Sequence, residues 1–373
     1  MDFNLSEERL MLKETAERFI REQYPIEKRH EFAKSEPGFS REMWRQFAEL
    51  GLIGALIPAE FGGLGGTGED IAVVFEELGR GLVVEPFLAS GLLGATPLIE
   101  AEDEATIAEV MAGEHLLALA HGEPEGRYSV SHVRTVASEE GDVWHVTGTK
   151  AVALNACSAD TLIVSARIAG APTAEEGLTL FRVDPKQPGV ARRAYATIDG
   201  GMAAEVTLGG AIGEPLGTPG EAYPVIERTI GRGILAVCAE ALGAMEVAKD
   251  LTLDYLRTRK QFGKPIGVNQ ALQHRMVDMV LEIEQARSCV MLAASTLEAG
   301  REERERNLSA AKHLVGRVGR LVAEETIQMH GGIGMTWDAP VAHYAKRIVM
   351  IDHLFGDTDH HLERFIHFSG DIE

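Results

Sequence analysis

Two short blocks of this chain carry residue types able to grip a charged, ring-bearing ligand. In the first, Arg259 stands three residues before Phe262-Gly263, with Gln270 and Gln273 about one helical turn apart downstream. A guanidinium can fork onto a diphosphate, a phenyl ring can pack on another ring, and a carboxamide can read an amide-like edge. In the second block, Gln328 precedes the turn Gly331-Gly332-Ile333-Gly334. The basic pair Lys346 and Arg347 follows, and then the polar knot Gly356-Asp357-Thr358-Asp359. Glycines in series let backbone amides approach a ligand closely, although most such turns only cap a helix. A third cluster, Asp357, Asp359, His360, His361 and Glu363, has metal-ligating residue types. Adjacent residues on a helix point about 100° apart, so His360 and His361 do not readily share one compact site, and no metal is expected.

Helices must position these blocks. From 215 to 373 the pattern is helical, with Ile234, Cys238, Ala241, Met245, Ala248, Thr252 and Tyr255 on one stripe and Gly243 open to a close helix crossing. Further helices are expected over 270–297 and 309–330, with the charged run 300–306 as a solvated turn between them and two shorter helices after. Long helices with short connections imply an antiparallel bundle. Residues 1–115 also read as helical. Ser6 is a candidate N-cap, with Arg9 at the third position. Leu12, Ala16, Phe19 and Ile20 fall near one face, and Trp44, Phe47 and Leu50 share another. The glycine-rich stretch 58–66 is a tight connector, 69–79 is a helix, and Pro86 opens the next one. Between these halves, 116–214 changes texture. Short apolar runs at 116–120, 133–137, 144–147, 161–166, 178–183 and 204–208 alternate with turns, as in a small β barrel or sandwich.

Composition sets bounds. The chain has 373 residues, 45% of them hydrophobic and 25% charged, as in an ordinary globular protein of two or three domains. Lys plus Arg total 36 against 57 Asp plus Glu, a net charge of -21. That balance argues against a nucleic-acid or anionic-membrane partner. Cys157, Cys238 and Cys289 are too few and too scattered for a disulfide framework or a zinc site. The acidic N-terminus lacks the positive region of a signal peptide, so a cytoplasmic location is expected.

The run LDYLRTRKQFG at 253–263, the glycine turn and the phrase LFGDTDHHLERF at 354–365 resemble the acyl-CoA dehydrogenase family of FAD flavoenzymes. The resemblance covers essentially the whole chain. It implies an α+β fold with an N-terminal all-α domain (1–115), a central β-barrel or sandwich domain (116–214) and a C-terminal antiparallel four-helix bundle (215–373). It further implies α,β-dehydrogenation of an acyl-CoA thioester, electron-transfer flavoprotein as acceptor, and FAD at a subunit interface. Carried over by motif, Arg259 would reach the diphosphate, Phe262 would partner it, and Gln328, Gly331, Gly332 and Thr358 would face the cofactor.

The chain also departs from the family pattern. Where members carry Thr-Glu-Pro it has Gly122-Glu123-Pro124, and the serine position six residues beyond that threonine is Tyr128. Where an aromatic and a threonine meet the flavin it has Val152-Ala153-Leu154. Neither glycine nor an aliphatic side chain can donate a hydrogen bond. The glutamate that takes the α-proton has no counterpart, since the two family positions for it are Gly356 and Gly233. Asp357 is the nearest carboxylate, one residue out of place. The catalytic residue is therefore unassigned. This combination resembles the small subunit of pimeloyl-CoA dehydrogenase and similar heteromeric bacterial enzymes, in which a homologous partner, in a dimer or heterotetramer, keeps the carboxylate. Other readings of the same residues are a non-catalytic stabilising subunit, or an FAD-dependent oxidase or monooxygenase on the same fold.

Overall fold

Polar caps begin four of the N-terminal helices, at Ser6, Ser40, Thr67 and Asp103. The first helix, α1 (Glu7–Gln23), starts at Ser6, whose Oγ accepts the Arg9 amide at 3.3 Å. Arg9 closes no capping box; its guanidinium instead donates to Asp70 at 2.7 Å and to Thr67 at 2.9 Å. After α2 (Ile26–Lys34), α3 (Arg41–Glu49) starts at Ser40 and buries Met43, Trp44 and Phe47. Thr67 and Asp70 form a capping box on α4 (Gly68–Gly81). A π-helical segment, Phe87–Gly94, runs into α5 (Ala95–Glu100), and α6 (Glu104–Met111) follows. The structure, a computed structural model, describes residues 5–370. Residues 1–4, part of the acidic N-terminal stretch, and 371–373 lie outside it.

Seven strands come next: β1 (Leu117–Ala120), β2 (Val136–Glu140), β3 (Val143–Leu154), β4 (Thr161–Arg167), β5 (Leu178–Val183), β6 (Val190–Ala196) and β7 (Met202–Leu216). Their pairing closes on itself. β4 meets β5, β5 meets β7, β7 meets β3, β3 meets β2, and β2 returns to β4 through Val136 opposite Arg167. β1 and β6 flank this ring on β4 and β7. The expected barrel is present, filled by Val146, Val164, Phe181, Val206 and Leu208. Its long strands outrun the apolar runs that mark them, because β3 and β7 continue through glycines and through alternating exposed and buried positions, with Lys150 among the buried ones.

The C-terminal part is α7 (Tyr223–Thr258), a hairpin of β8 (Lys260–Gln261) and β9 (Lys264–Pro265), then α8 (Gln270–Ser295), α9 (Arg301–His330), α10 (Pro340–Asp352) and α11 (Thr358–Phe368). The charged run expected as a solvated turn is instead the first two turns of α9. Arg304 and Glu305 are buried there, paired with each other at 2.8 Å, and Arg364 of α11 reaches Glu305 at 2.6 Å. Charges enter a core when each has a partner, which composition alone does not reveal.

Contacts divide the chain into two units that cut across chain order. One holds 1–29, 67–83 and 234–373; the other holds 30–66 and 84–233. In the first unit α4 joins the C-terminal helices because glycines let it touch α7 backbone to backbone. A Cβ on Gly243 would stand 1.9 Å from the Glu76 carbonyl oxygen, and one on Gly79 would stand 2.0 Å from that of Glu240. Among the described residues no helix is long and apolar enough to cross a membrane.

Candidate functional site

In the helical unit, α7 ends at a two-residue hairpin. Arg259 and Ile266 close its base, with the Ile266 amide donating to the Arg259 carbonyl at 2.9 Å. Its loop is Phe262-Gly263, with φ of +50° and +79°. Two consecutive positive φ values suit a type I′ turn, whose first position favours Asn or Asp. A phenylalanine there stores backbone strain, and its side chain is fully exposed. The Arg259 side chain is exposed as well and makes no hydrogen bond or ion pair among the described residues. A cavity of about 450 Å³ lies beside the hairpin, lined by Leu253, Arg257, Pro265 and Gln273 among others. Gln273 turns its amide onto the Gly267 carbonyl at 2.9 Å.

The second block sits beside the first. The Tyr255 ring of α7 stacks on His330 at the end of α9, with centroids 4.5 Å apart. Arg259 follows Tyr255 by one helical turn, and Gln328 precedes His330 by two residues, so this stack brings the two blocks together. Gly331 caps α9 with φ of +67°, its amide on the Gln328 and Ile327 carbonyls. Gln328, Gly331 and Gly332 are exposed, and nothing lies within 4 Å of where a Cβ would be on either glycine. The turn is thus both a helix cap and an open cradle.

Thr358 lies elsewhere. Its turn packs on α9 near Lys312, sixteen residues before Gln328, or about 24 Å along the helix. Its Oγ1 donates to Asp352 at 2.9 Å, and its carbonyl accepts from His313 Nδ1 at 3.0 Å. Asp357 is the N-cap of α11, its carboxylate accepting the His360 amide at 2.9 Å. Gly356 has φ of +117°, and a Cβ there would stand 2.5 Å from His360 and 2.7 Å from His361. Lys312, fully buried, donates to the Gly356 carbonyl at 2.7 Å and to the Asp352 carbonyl at 2.9 Å. His361 donates from Nε2 to the Phe355 carbonyl at 3.0 Å. Burial, with help from the Lys312 ammonium, pushes His361 down to about 2, so its imidazole is neutral. These clamps escaped the sequence reading. Lys312 gives one signal, because it falls on the buried stripe of Leu308, Val315 and Val318. Among the described residues no group of three His, Cys, Asp or Glu is placed to hold a metal.

In the barrel unit the departures from the family pattern surround an intact ion pair. Lys150 Nζ donates to Glu123 at 2.8 Å, to Ser165 Oγ at 3.0 Å and to the His121 carbonyl at 3.2 Å. Glu123 also accepts from the Thr135 amide and hydroxyl and from the Arg134 amide. Burial alone would raise the Glu123 carboxyl, but Lys150 and Thr135 bring it down to about 2. Gly122 and Val152 lie at the edge of this cluster. The Ala151 amide donates to the Gly122 carbonyl at 2.8 Å, and Val152 occupies a bulge in β3 at φ of +52°, more than half exposed. A β-branched residue in that conformation is strained. Neither residue offers a side-chain donor.

The chain can therefore present an arginine, an aromatic ring, a carboxamide and open backbone, but no carboxylate at 356 or 233. Acyl-CoA dehydrogenase N-terminal, middle and C-terminal domains match residues 6–111, 118–208 and 223–366. The chain is 30% identical to acyl-CoA dehydrogenase IpdE2 of Mycobacterium tuberculosis, over 91% of each. It superposes on a chain of the ChsE4-ChsE5 complex from Mycobacterium tuberculosis with a TM-score of 0.89, at 25% identity over 100% of each. For a variant of the Tcur3481-Tcur3483 steroid ACAD the TM-score is 0.88, at 28% identity over 98% of each. This chain belongs to the acyl-CoA dehydrogenase family.

Proposed function

We propose that this chain is the base-lacking, FAD-associated subunit of a heteromeric acyl-CoA dehydrogenase. The observation that carries the reading is Gly356. Its backbone conformation and the two histidine rings against it admit no side chain unless a ring moves, while Asp357 is already spent as a helix cap. Removal of the α-proton beside a thioester needs a carboxylate within hydrogen-bond reach. That carboxylate is assigned to a homologous partner subunit. When bound, FAD supplies the acceptor for the hydride that leaves the β-carbon.

The helical unit fits part of that cofactor. Arg259 would hold the diphosphate, Phe262 would pack on a ring, and Gln328 with the open amides around Gly331 and Gly332 would meet the remaining polar edge. Thr358, about 24 Å along α9 from these, would serve a separate part of the cofactor surface, as expected where subunits share FAD between them. The barrel unit fits less well, because Gly122, Val152 and Leu154 offer the flavin no side-chain hydrogen bond. The phrase at 354–365 supports a likeness to the small subunit of pimeloyl-CoA dehydrogenase. Two structures similar to this chain carry paired names, the ChsE4-ChsE5 complex and the Tcur3481-Tcur3483 enzyme. An electron-transfer flavoprotein is the acceptor this reading implies.

The test is the visible flavin spectrum of the chain purified alone and co-purified with a neighbouring homologue, each titrated with a panel of acyl-CoAs. Bleaching only in the co-purified sample is the expected result. Bleaching of the chain alone would sink the proposal. Oxygen uptake by the chain with reduced flavin would favour the oxidase or monooxygenase reading instead.

A further inference from the structure

Within the helical unit, α1, α4, α7 and α8 surround a cavity of about 240 Å³. Its origin is geometric. At one end a Cβ on Gly68 would stand 2.1 Å from the Ala294 carbonyl oxygen, so α4 touches α8 backbone to backbone. Further along, the Gly79 and Gly243 contacts bring α4 against α7 in the same way. Between these fixed points the helices carry small or medium residues, among them Ala72, Val73, Ala239 and Leu242, which leave the space between them unfilled. Leu242 is nine residues from Gly233, half a turn around the α7 axis, so the cavity lies on the face of α7 opposite that family base position.

The rim carries charge, most of it already matched. Arg287 donates to Glu76 at 2.9 Å and to Glu246 at 3.1 Å, and Arg9 is held by Asp70 and Thr67. Lys13 is different. Its nearest carboxylate, Glu77, is 4.0 Å away, and neither oxygen of that buried carboxyl has a hydrogen-bond partner. Lys13 thus lines, as a cation with donors to spare, a cavity whose walls are apolar and whose rim also carries Arg9, Glu69, Glu76 and Arg287. An apolar cavity of about 150 Å³ takes one benzene, so this volume suits about ten non-hydrogen atoms.

We propose that the cavity binds a medium-chain aliphatic monocarboxylate, with its tail between α4 and α7 and its carboxylate on Lys13. The site is far too small for a CoA ester and does not depend on the catalytic reading above.

Isothermal titration calorimetry of the full chain with octanoate, octanol and butyrate tests this. Saturable binding of one octanoate is expected, with butyrate much weaker. Lys13→Gln should weaken octanoate about fivefold to tenfold and leave octanol unchanged. Ala72→Leu, which places a larger side chain in the cavity, should abolish octanoate binding while the far-ultraviolet dichroism stays native. Lack of saturation by octanoate would overturn the proposal. So would octanoate binding to Ala72→Leu, or to Lys13→Gln, with wild-type affinity, since the acid would then be held elsewhere. The Lys13 substitution lies on a partly exposed side chain, so it decides the matter even if Ala72→Leu fails to fold.

Discussion

Two fully buried lysines, one in each unit, are held in opposite ways. Lys150 in the barrel meets a carboxylate, a hydroxyl and a carbonyl, so its charge is neutralised and its three protons are all used. Lys312 in the helical unit meets two carbonyls, and the nearest carboxylate oxygen, on Asp352, is 4.0 Å away. The first is a closed network whose members satisfy each other. The second is a clamp, because both of its carbonyls belong to the segment that ends α10 and carries Gly356. A buried ion pair fixes the inside of its own domain. A buried cation on backbone oxygens fixes a chain path, here the one from which a catalytic side chain is missing.

Lys150→Met is expected to have the largest effect. It strands Glu123 without its counter-charge, and should cost about 3–5 kcal/mol in denaturant unfolding. The double variant Lys150→Met with Glu123→Leu should recover more than half of that loss. A double variant as unstable as the single one would show that the lysine acts through packing, and the comparison would lose its first half.

Lys312→Met comes next, at about 1–3 kcal/mol, because it leaves two carbonyls underserved, while the partly exposed Asp352 carboxylate keeps its Thr358 hydrogen bond. Amide exchange should quicken over 353–358, the turn between α10 and α11, more than over α9 itself. Uniform quickening would mean that the lysine is not a clamp on this turn.

The smallest effect has the opposite sign and comes from a buried carboxyl held only by loose ion pairs, with Arg80 at 3.4 Å and Lys13 at 4.0 Å. Glu77 is 1% exposed, with both oxygens unbonded, and burial raises its carboxyl from 4.5 to about 7 against the pull of Arg80 and Lys13. Between these values the folded chain keeps a proton that the unfolded chain releases. This group's stability is therefore full below the lower value and declines as pH rises through the upper one. Glu77→Gln should stabilise the chain by about 1–2 kcal/mol near pH ~8 and change little near pH ~4. Equal unfolding curves at both pH values would show that the ion pairs with Arg80 and Lys13 already offset its burial.

Much of the fold was legible because it depends on periodicity and caps. Ser6, the stripe from Ile234 to Thr252 and the close crossing at Gly243 all stand where residue type and spacing put them. The start of α9 was misread because a charged hexad looks solvated until Arg364, far along the chain, is known to cover it. The site was legible as residue types but not as arrangement. Nothing local says that Tyr255 stacks on His330, or that the Thr358 turn packs on α9 well away from Gln328. The strain at Phe262 and Val152 was hidden as well, since neither residue advertises a left-handed backbone.

The crowding at Gly356 also limits how this chain can change. A glutamate placed there meets a left-handed backbone and two imidazole rings, so the single-codon route to a base at this position is closed. It opens only after His360 or His361 has given way, and His361 is itself holding Phe355. On the proposed reading, reliance on a borrowed carboxylate is thereby a ratchet at this position: each half of the enzyme can drift in sequence, but a change at 356 alone does not return this half to working by itself.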